Sequence, residues 1–315
     1  AVVHPIDAPQ PSFLTKEFLG SVWRKYYATN PRAFNASRWD YLGSDMNTDG
    51  LHVHLAHSTY CHTQALIKAI NRRLGDLDIS HLSPEVQRAL SPENHEAMLR
   101  EVFSFGLNSN VVLVADFDDP KHGVILPIGK RSAQVAQAPN SFMLIGGGVM
   151  ASHYSEADMK NNPDGTSSFD ISISARRQLV DELGTSGVEL LNIGSMRDHE
   201  EGPDSNEVYA PGRPIPLFSI DVLIASQCKA RDRFEHDGLR FISGGTQQLY
   251  DFMAGNLETD VLGQKMSDYP TLGVCLAGLL LYGQQRHGTA WRDDAETALR
   301  KRGFDVIKGD IKRWQ

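Results

Sequence analysis

Three polar side chains recur at helical spacing near the middle of this 315-residue chain. In residues 175–184, ARRQLVDELG, the side chains of Gln178, Asp181 and Glu182 stand at positions i, i+3 and i+4, which a helix places on one face. Hard cations such as Mg²⁺ bind oxygen ligands, and a few carboxylates completed by substrate phosphate oxygens are enough to hold one. Such a metal neutralises diphosphate charge and activates water. The spacing therefore indicates a metal-dependent phosphate site.

The same segment is also typical of a solvated amphipathic helix, so its pattern alone leaves both interpretations open. Ser167 or Ser168 can cap the start of the helix, and Asp170 would lie in the first turn, where the helix dipole favours an acid. Gly184 suits the position just after the helix, where a left-handed backbone is common. We therefore expect a helix that ends just before Gly184.

The residues before this helix favour the metal site. Residues 110–117, 123–131 and 140–145 are short apolar runs bounded by turn residues, which predicts three strands. The third run leads into the glycines at 146–148, where the backbone can adopt positive φ and approach a ligand or a metal closely.

Together these features resemble the signature of the Nudix hydrolases, G-x5-E-x7-R-E-U-x-E-E-x-G-U, in which U is a bulky aliphatic residue. The segment Ile145, Gly146 and Gly147 stands where the family has its strand-ending Pro-Gly-Gly. The other matches are the arginine, one aliphatic residue, the paired acids and the glycine, at Arg177, Leu179, Asp181, Glu182 and Gly184.

The chain departs from this signature at several positions. Gln178 replaces the glutamate after the arginine, and Thr185 replaces the last aliphatic residue. The loop before the helix is lengthened and carries Glu156, but Phe169 stands eight residues before Arg177, where the family has a glutamate. An amide supplies no charge and no useful base near neutral pH. Hydrolysis and a non-hydrolytic function therefore both stay open.

The long insertion is similar to that of the UDP-sugar-hydrolysing branch of the superfamily, which has an extra N-terminal domain. Residues 30–38 and 51–60 carry the N-terminal part of this resemblance. It implies an α+β fold, with a Nudix α/β/α sandwich around a mixed sheet and a smaller N-terminal α+β domain. We expect the N-terminal domain at residues 1–107, the Nudix domain at 108–290 and a charged helical extension at 291–315.

Further elements are predicted from the apolar periodicity of the chain. A strand is expected at residues 215–224 and an apolar helix at 269–282, with a late acidic residue in the segment 234–242. The N-terminal elements are expected to be helices at 15–28 and 63–74 and a hairpin at 39–55.

Two other groups of residues could do chemistry. His52 and His54 alternate on one predicted strand, with His57 and His62 nearby, but no local Cys/His spacing completes a zinc site. A polar strand face is the favoured interpretation. The acidic residues 116–119 precede a Pro-Lys-His-Gly turn, which favours a loop between hairpin strands over a phosphotransfer motif.

The resemblance implies how a metal would be held. Mg²⁺, or Mn²⁺ in its place, would be bound by Asp181 and Glu182, with Gln178 as a further metal ligand. A backbone carbonyl at Gly147 or Gly148 would complete the protein ligands. The metal would then bridge oxygens of the substrate phosphates.

Two carboxylates are candidates for the general base that deprotonates the attacking water, Glu182 and Glu235. Glu235 lies in the segment that matches the family's late acidic residue, and an exposed loop carboxylate is the alternative interpretation. Arg177 is expected to orient a carboxylate, Glu182 or Asp170, rather than to contact phosphate.

The expected partner is a small nucleoside diphosphate linked to another moiety, preferably a nucleotide sugar. Lys130 and Arg131 end a strand that should border the cleft, and with Gly147 they are the expected substrate contacts. The resemblance thus implies a metal-dependent diphosphate hydrolase. The alternative is a non-hydrolytic nucleotide- or metabolite-binding protein, or a Nudix scaffold with a different reaction.

Composition agrees with a globular enzyme. The chain has 31 Lys and Arg residues against 39 Asp and Glu, a net charge of −8, so it offers no general basic surface to nucleic acid. Its apolar runs are too short to span a bilayer, and no signal peptide is visible. Three scattered cysteines, Cys61, Cys228 and Cys275, suit a reducing cytoplasm. We expect a cytoplasmic protein without nucleic-acid or membrane partners, and a homodimer stays open.

Overall fold

A computed structural model describes most of the chain, in ranges separated by gaps. The described residues are 2–5, 10–29, 31, 35, 37–48, 50–70, 74, 77–105, 107–133, 135, 139–145, 148–149, 159–161, 167–169, 171–198, 204–231, 233–266, 270–304 and 306. Gly147, Glu156 and Asp170, which the sequence singles out, lie outside these ranges.

Helices and strands alternate through the described ranges. The strands are β1 (Val2–Pro5), β2 (Ser37–Asn47), β3 (Gly50–Thr59), β4 (Leu107–Leu113), β5 (Phe117–Asp119), β6 (Gly123–Arg131), β7 (Phe142–Leu144), β8 (Gly148–Val149), β9 (Met159–Asn161), β10 (Ser167–Phe169), β11 (Leu190–Asp198), β12 (Asp204–Pro211), β13 (Ile215–Pro216) and β14 (His236–Ser243). The helices are α1 (Lys16–Thr29), α2 (Tyr60–Ile70), α3 (Pro84–Ala89), α4 (His95–Phe105), α5 (Ser172–Leu183), α6 (Ile220–Gln227), α7 (Thr246–Ala254), α8 (Gly273–His287) and α9 (Thr289–Lys301), with 3-10 turns at Pro92–Asn94 and Arg233–Glu235. Among the helices that the structure describes, none is long and apolar enough to cross a membrane.

The described strands form two mixed sheets. The larger has the order β11-β12-β4-β2-β3-β1-β10-β9, with β8 beside β4, and the smaller has the order β13-β5-β6-β14, with β7 beside β6. Parallel pairing joins β4 to β12, β1 to β3 and β5 to β13, whereas the other paired strands are antiparallel. The predicted α+β class with a mixed sheet is therefore confirmed.

Helices cover both faces of the strands at the centre of the chain. Val111 and Leu113 of β4 pack in one apolar cluster with α5 and α6, while Val112 of β4 and Val114, just after it, pack in another with α7, α8 and α9. Strand side chains alternate between faces, so adjacent valines meet different helices. Each large apolar side chain fully buried in this way contributes about 1.5–3 kcal/mol. The result is an α/β/α layering that holds α5 against the sheet.

The N-terminal helices have a core of their own. Phe13, Phe18, Val22 and Val102 are fully buried in an apolar cluster built from α1 to α4 and the segments between them. The strands β2 and β3, in contrast, belong to the same sheet as β4, and Leu55 of β3 packs in the cluster beneath α5. The division into domains at residue 107 stays a prediction.

Local signals placed several elements correctly. Strand β6 has the bounds expected from its apolar run. Helix α5 ends before Gly184, which has a φ of 66° and donates its backbone N–H to the carbonyl of Val180 at 2.8 Å. The left-handed backbone that the glycine permits stops the helix where the sequence predicts.

The predicted start of α5 is wrong. Ser167 and Ser168 lie in β10, where they pair with β1 and β9, and the helix begins only at Ser172. Ile171 occupies the N-cap position and makes no side-chain capping hydrogen bond. Pairing in the sheet holds the backbone of both serines in an extended conformation, four or more residues before the start of the helix.

The strand predicted at residues 215–224 is also wrong over most of its length. Only Ile215–Pro216 forms a strand, β13, and helix α6 begins at Ile220. Ser219 has an extended backbone and its side chain accepts a hydrogen bond from the N–H of Val222, which caps the helix. A short apolar run has no periodicity that separates a strand from a buried helix, so the cap decides.

Two helix-interior glycines allow a test of this packing. At Gly283 in α8 an added Cβ would lie 2.0 Å from the ring of Trp291, whose Nε1–H is held by the carbonyl of Thr246 at 3.0 Å. At Gly20 in α1 a Cβ would meet nothing within 4 Å. We expect Gly20→Ala to stabilise the protein by about 0.5–1 kcal/mol, and Gly283→Ala to destabilise it by about 1–3 kcal/mol. Urea unfolding measures both, and equal stabilisation by the two changes would contradict the close packing of α8 on α9.

The described cysteines should differ sharply in reactivity. Burial raises the pKa of the Cys61 thiol to about 11 and that of Cys275 to about 12, whereas Cys228 is exposed. Alkylation requires the thiolate, so at pH 8 the two buried groups stay protonated and inaccessible. We expect iodoacetamide to modify only Cys228 in the folded protein and all three cysteines in urea, as counted by mass spectrometry. Modification of Cys275 in the folded protein would contradict its burial on the inner face of α8.

Candidate functional site

Helix α5 presents a polar face beside its apolar one. The apolar face packs against β4 and β11 through the buried side chains of Ala175, Leu179 and Leu183. Glu182 is carried inward with them and only 3% of its side chain is exposed, whereas 29% of the Asp181 side chain is exposed. The two acids expected to act together therefore have different environments.

Glu182 is hydrogen bonded to His236, the first residue of β14. Nε2 of His236 lies 3.0 Å from Oε2 of Glu182, and both side chains are almost completely buried. Because a carboxylate can only accept, Nε2 carries the hydrogen and donates it. Nδ1 of His236 is also buried, and within the described part of the chain it makes no hydrogen bond.

The imidazole of His236 lies directly over Gly129 of β6. A Cβ added at Gly129 would be 2.3 Å from Nδ1 of the ring, which is less than any real contact. The register of β14 on β6, with His236 opposite Arg131, brings the ring to this place. Glycine at position 129 is thus the condition for the ring to point toward α5.

Longer charge pairs flank this hydrogen bond. They join Arg231 to Asp181 and Arg131 to Glu235, each with its closest nitrogen and oxygen 3.9 Å apart. The Arg231 side chain is mostly exposed, and such pairs contribute at most about 1 kcal/mol. The backbone N–H of Ser132 also donates to the carbonyl of Glu235 at 2.8 Å. Acids and cations therefore alternate around the C-terminal half of α5.

The structure brings several predicted site residues into one region. Asp181 and Glu182 meet the start of β14 and the end of β6, where Glu235 and Arg131 lie. Lys130 is half-buried next to Arg131 and pairs with Gly238 in the sheet. The functional roles of these residues stay predictions.

The other predicted site residues that the structure describes lie on α5 and β8. Gln178 and Arg177 are half-buried on α5. Gly148 lies in β8, which pairs with Val111 of β4 and contacts α5. Gly147 lies outside the described residues, so its expected contact with substrate stays a prediction.

Sequence reasoning selected Glu235 from the late acidic segment and missed His236, its neighbour. No local signal marks His236, because Glu235 ends a 3-10 turn and His236 begins β14, so strand alternation does not relate their directions. The ring turns toward α5 through the register of β14 on β6. Arg231, which is nearest to Asp181, carries no local pattern that would have identified it.

The polar face of α5 offers hard oxygen donors to a metal ion. Within the described residues, no group of three or more His, Cys, Asp or Glu side chains is arranged to hold a metal ion, and this includes the described histidine side chains of β3. Mg²⁺ is usually held by only one or two carboxylates, with water and substrate phosphates as its other ligands. Asp181 and Glu182 therefore suit Mg²⁺ better than a closed zinc site.

A second buried polar cluster lies on the opposite side of the sheet. Asp116, fully buried after β4, accepts hydrogen bonds from the hydroxyl of Tyr282 at 2.7 Å and from Nη2 of Arg286 at 3.0 Å. Arg286 also donates to the carbonyl of Pro211. Burial raises the pKa values of both Asp116 and Tyr282. The cluster joins α8 to the ends of β4 and β12, so Asp116 has a structural role rather than that of a solvated loop acid.

Comparison with known proteins gives limited information. No protein-family model matches the chain, and no curated protein matches it. Among solved structures, the NUDIX hydrolase from Alicyclobacillus acidocaldarius is 13% identical, with 62% of this chain and 96% of that chain covered and a TM-score of 0.35. The MUTT protein from Methanosarcina mazei Go1 is 14% identical, with coverage of 62% and 94% and a TM-score of 0.30.

A third similar structure is the NUDIX domain of Shewanella oneidensis NrtR complexed with ADP ribose. It is 11% identical, with 43% of this chain and 72% of that chain covered and a TM-score of 0.28. Identities and TM-scores at this level do not establish a family.

The buried hydrogen bond makes a prediction for stability. Replacing His236 with alanine removes a donor from a buried carboxylate, and a hydrogen bond to a charged group contributes about 1.5–3 kcal/mol. His122→Ala is the matched control, because Asp119 keeps the backbone N–H groups of Lys121 and His122 after the ring is removed. We expect the control to cost about 1 kcal/mol or less. Urea unfolding gives both values, and an equal cost would contradict a special contribution from the Glu182 contact.

Proposed function

We propose that this chain is a Nudix-type, divalent-metal-dependent hydrolase of a nucleoside diphosphate linked to another moiety, with a nucleotide sugar as the preferred substrate. One observation supports this most. Asp181 contacts Arg231 and Glu182 contacts His236, which brings the acidic end of α5 to the distant chain segment in which Glu235 pairs with Arg131. A helix with only a solvated charged face would not need these partners.

The proposed cofactor is Mg²⁺, which Mn²⁺ could replace. When bound, it would neutralise phosphate charge and lower the pKa of a coordinated water. Asp181 and Glu182 are the proposed carboxylate ligands, with the amide oxygen of Gln178 and a backbone carbonyl at Gly148 as weaker donors. Gln178 contributes no charge, so the metal affinity depends chiefly on the two acids.

Glu235 is the proposed general base. Its side chain is 35% exposed, whereas Glu182 is buried against His236, so water reaches Glu235 more readily. A base must lie within hydrogen-bonding reach of the water that it activates. Glu182 then serves as a ligand, and Arg177 orients a carboxylate on the same helix.

Cationic side chains would bind the diphosphate. Arg131 and Lys130 end β6 beside Glu235, and a guanidinium matches the geometry of phosphate oxygens. Gly147 is proposed to let the backbone approach the substrate. In this proposal the phosphates would lie between β6 and α5.

A non-hydrolytic binding protein is the second candidate, and the charge balance of the site favours it. Asp181 and Glu235 each have a cationic partner, namely Arg231 and Arg131, and Glu182 is hydrogen bonded to His236. Acids that are already compensated attract a divalent ion less strongly than isolated ones. With Gln178 in place of a glutamate, the site could bind a nucleotide without cleaving it.

Hydrolysis separates the two candidates. The folded protein with Mg²⁺ would be screened against UDP-sugars, ADP-ribose, dinucleoside polyphosphates and CoA, with release of phosphate-containing products followed by chromatography. We expect Glu182→Gln to lower kcat by about 100-fold or more. Glu189→Gln, which changes an exposed carboxylate after α5, is the matched control and should leave kcat unchanged.

Two results would overturn the hydrolase. Cleavage at the wild-type rate by Glu182→Gln would show that this helix does not supply the chemistry. If the wild type cleaves nothing while one of these nucleotides raises its Tm, the chain is a binding protein.

A further inference from the structure

We infer that His236 is the positioning residue for Glu182, an inference that rests on the proposed function. The two residues are 54 positions apart in the chain, and their hydrogen bond joins α5 to β14 inside the protein. His236 touches neither substrate nor metal in this proposal. It acts by holding one oxygen of the carboxylate that would bind the metal.

Glutamate needs such a partner more than aspartate does. Its side chain has three rotatable bonds, and a metal ligand must be held in one orientation for its oxygen to meet the ion. Carboxylates that ligate metals are generally hydrogen bonded to groups behind them, and loss of such a group weakens metal binding. Within the described part of the chain, the ion pair of Asp181, which has the shorter side chain, is with the exposed Arg231 at 3.9 Å. His236 therefore supplies the firmer of the two constraints.

The position of the ring is itself determined by β6. A Cβ at Gly129 would lie 2.3 Å from Nδ1, 2.6 Å from Cε1 and 2.9 Å from Cγ of His236. Any side chain at residue 129 would displace the ring and with it the donor to Glu182. Gly129 is thus a second site at which the same contact can be broken without altering either partner.

The competing explanation is that the hydrogen bond between Glu182 and His236 serves only the stability of the fold. It would cost stability when broken but would leave metal affinity unchanged in protein that remains folded. Two variants of similar size separate the explanations, because His236→Gln keeps an N–H donor and His236→Met does not. Gly129→Ala displaces the ring independently, and His122→Ala removes a histidine from another acid pair as the control.

Binding of Mn²⁺ alone, followed by the EPR signal of the free ion, gives a readout that does not depend on turnover. Circular dichroism first establishes which variants are folded at the assay temperature. We expect His236→Met and Gly129→Ala to bind Mn²⁺ about 10–100-fold more weakly than the wild type. His236→Gln should stay within a few-fold of the wild type, and His122→Ala should equal it. In the hydrolysis assay, His236→Met should lower kcat with little change in KM for the nucleotide.

The outcomes distinguish this inference from the proposed function. If the wild type binds Mn²⁺ but the folded Met, Gln and Gly129→Ala variants bind it equally well, His236 does not position the ligand and the hydrolase proposal stands. If only one of His236→Met and Gly129→Ala folds, its Mn²⁺ affinity is compared with that of His236→Gln. Equal affinities would contradict the positioning role. If the wild type neither binds Mn²⁺ nor cleaves any nucleotide, the proposed function fails and the positioning role fails with it.

Discussion

The arrangement of the candidate site depends on the hydrogen bond between Glu182 and His236. This bond connects the last turn of α5 with the first residue of β14, and both side chains are nearly inaccessible to water. A carboxylate is costly to bury unless it is hydrogen bonded, so the position of the helix and that of the strand are linked. Room for the imidazole comes from Gly129 on β6, which pairs with β14. Three elements therefore have to assemble together before the acidic face of α5 has its final form.

The contact between Glu182 and His236 bears on both proposed functions, hydrolysis and non-hydrolytic binding. Two adjacent acids on a helix, beside a strand that ends in cationic side chains, suit a metal and a diphosphate. Yet the buried acid is already bonded to His236, and Gln178 adds no charge to attract a cation. The α/β/α layers supply a rigid support, because α5 packs on one face of the strands and α8 on the other. Under the proposed function, hydrolysis requires that this support hold Glu182 in one orientation for a metal.

Local patterns predicted much of the fold, and they failed where the deciding hydrogen bond could not be identified locally. Strand β6 and the end of α5 follow from apolar runs and from a glycine that permits a left-handed backbone. The start of α5 was misplaced because Ser167 and Ser168 are recruited into β10, which pairs with β1 from the beginning of the chain. The apolar run that predicts a strand at 215–224 continues from β13 into α6 without a change in composition. Only Ser219, which caps α6, marks where the helix begins. In each failure the deciding hydrogen bond was either long-range or hidden in a short, ambiguous run.

Local sequence is enough to give Gln178, Asp181 and Glu182 the spacing of one helical face, to end the helix at Gly184 and to end a strand at Lys130 and Arg131. Helix periodicity, a left-handed cap and an apolar run need no distant partner. The burial of Glu182 against His236 and the pairing of Glu235 with Arg131 arise from tertiary contacts alone. Those contacts depend on the register of β14 on β6, and a shift of one residue would turn His236 to the opposite face of the sheet. Register is set by the packing of whole strands, which is why the partner of Glu182 could not be identified from the helix that carries it.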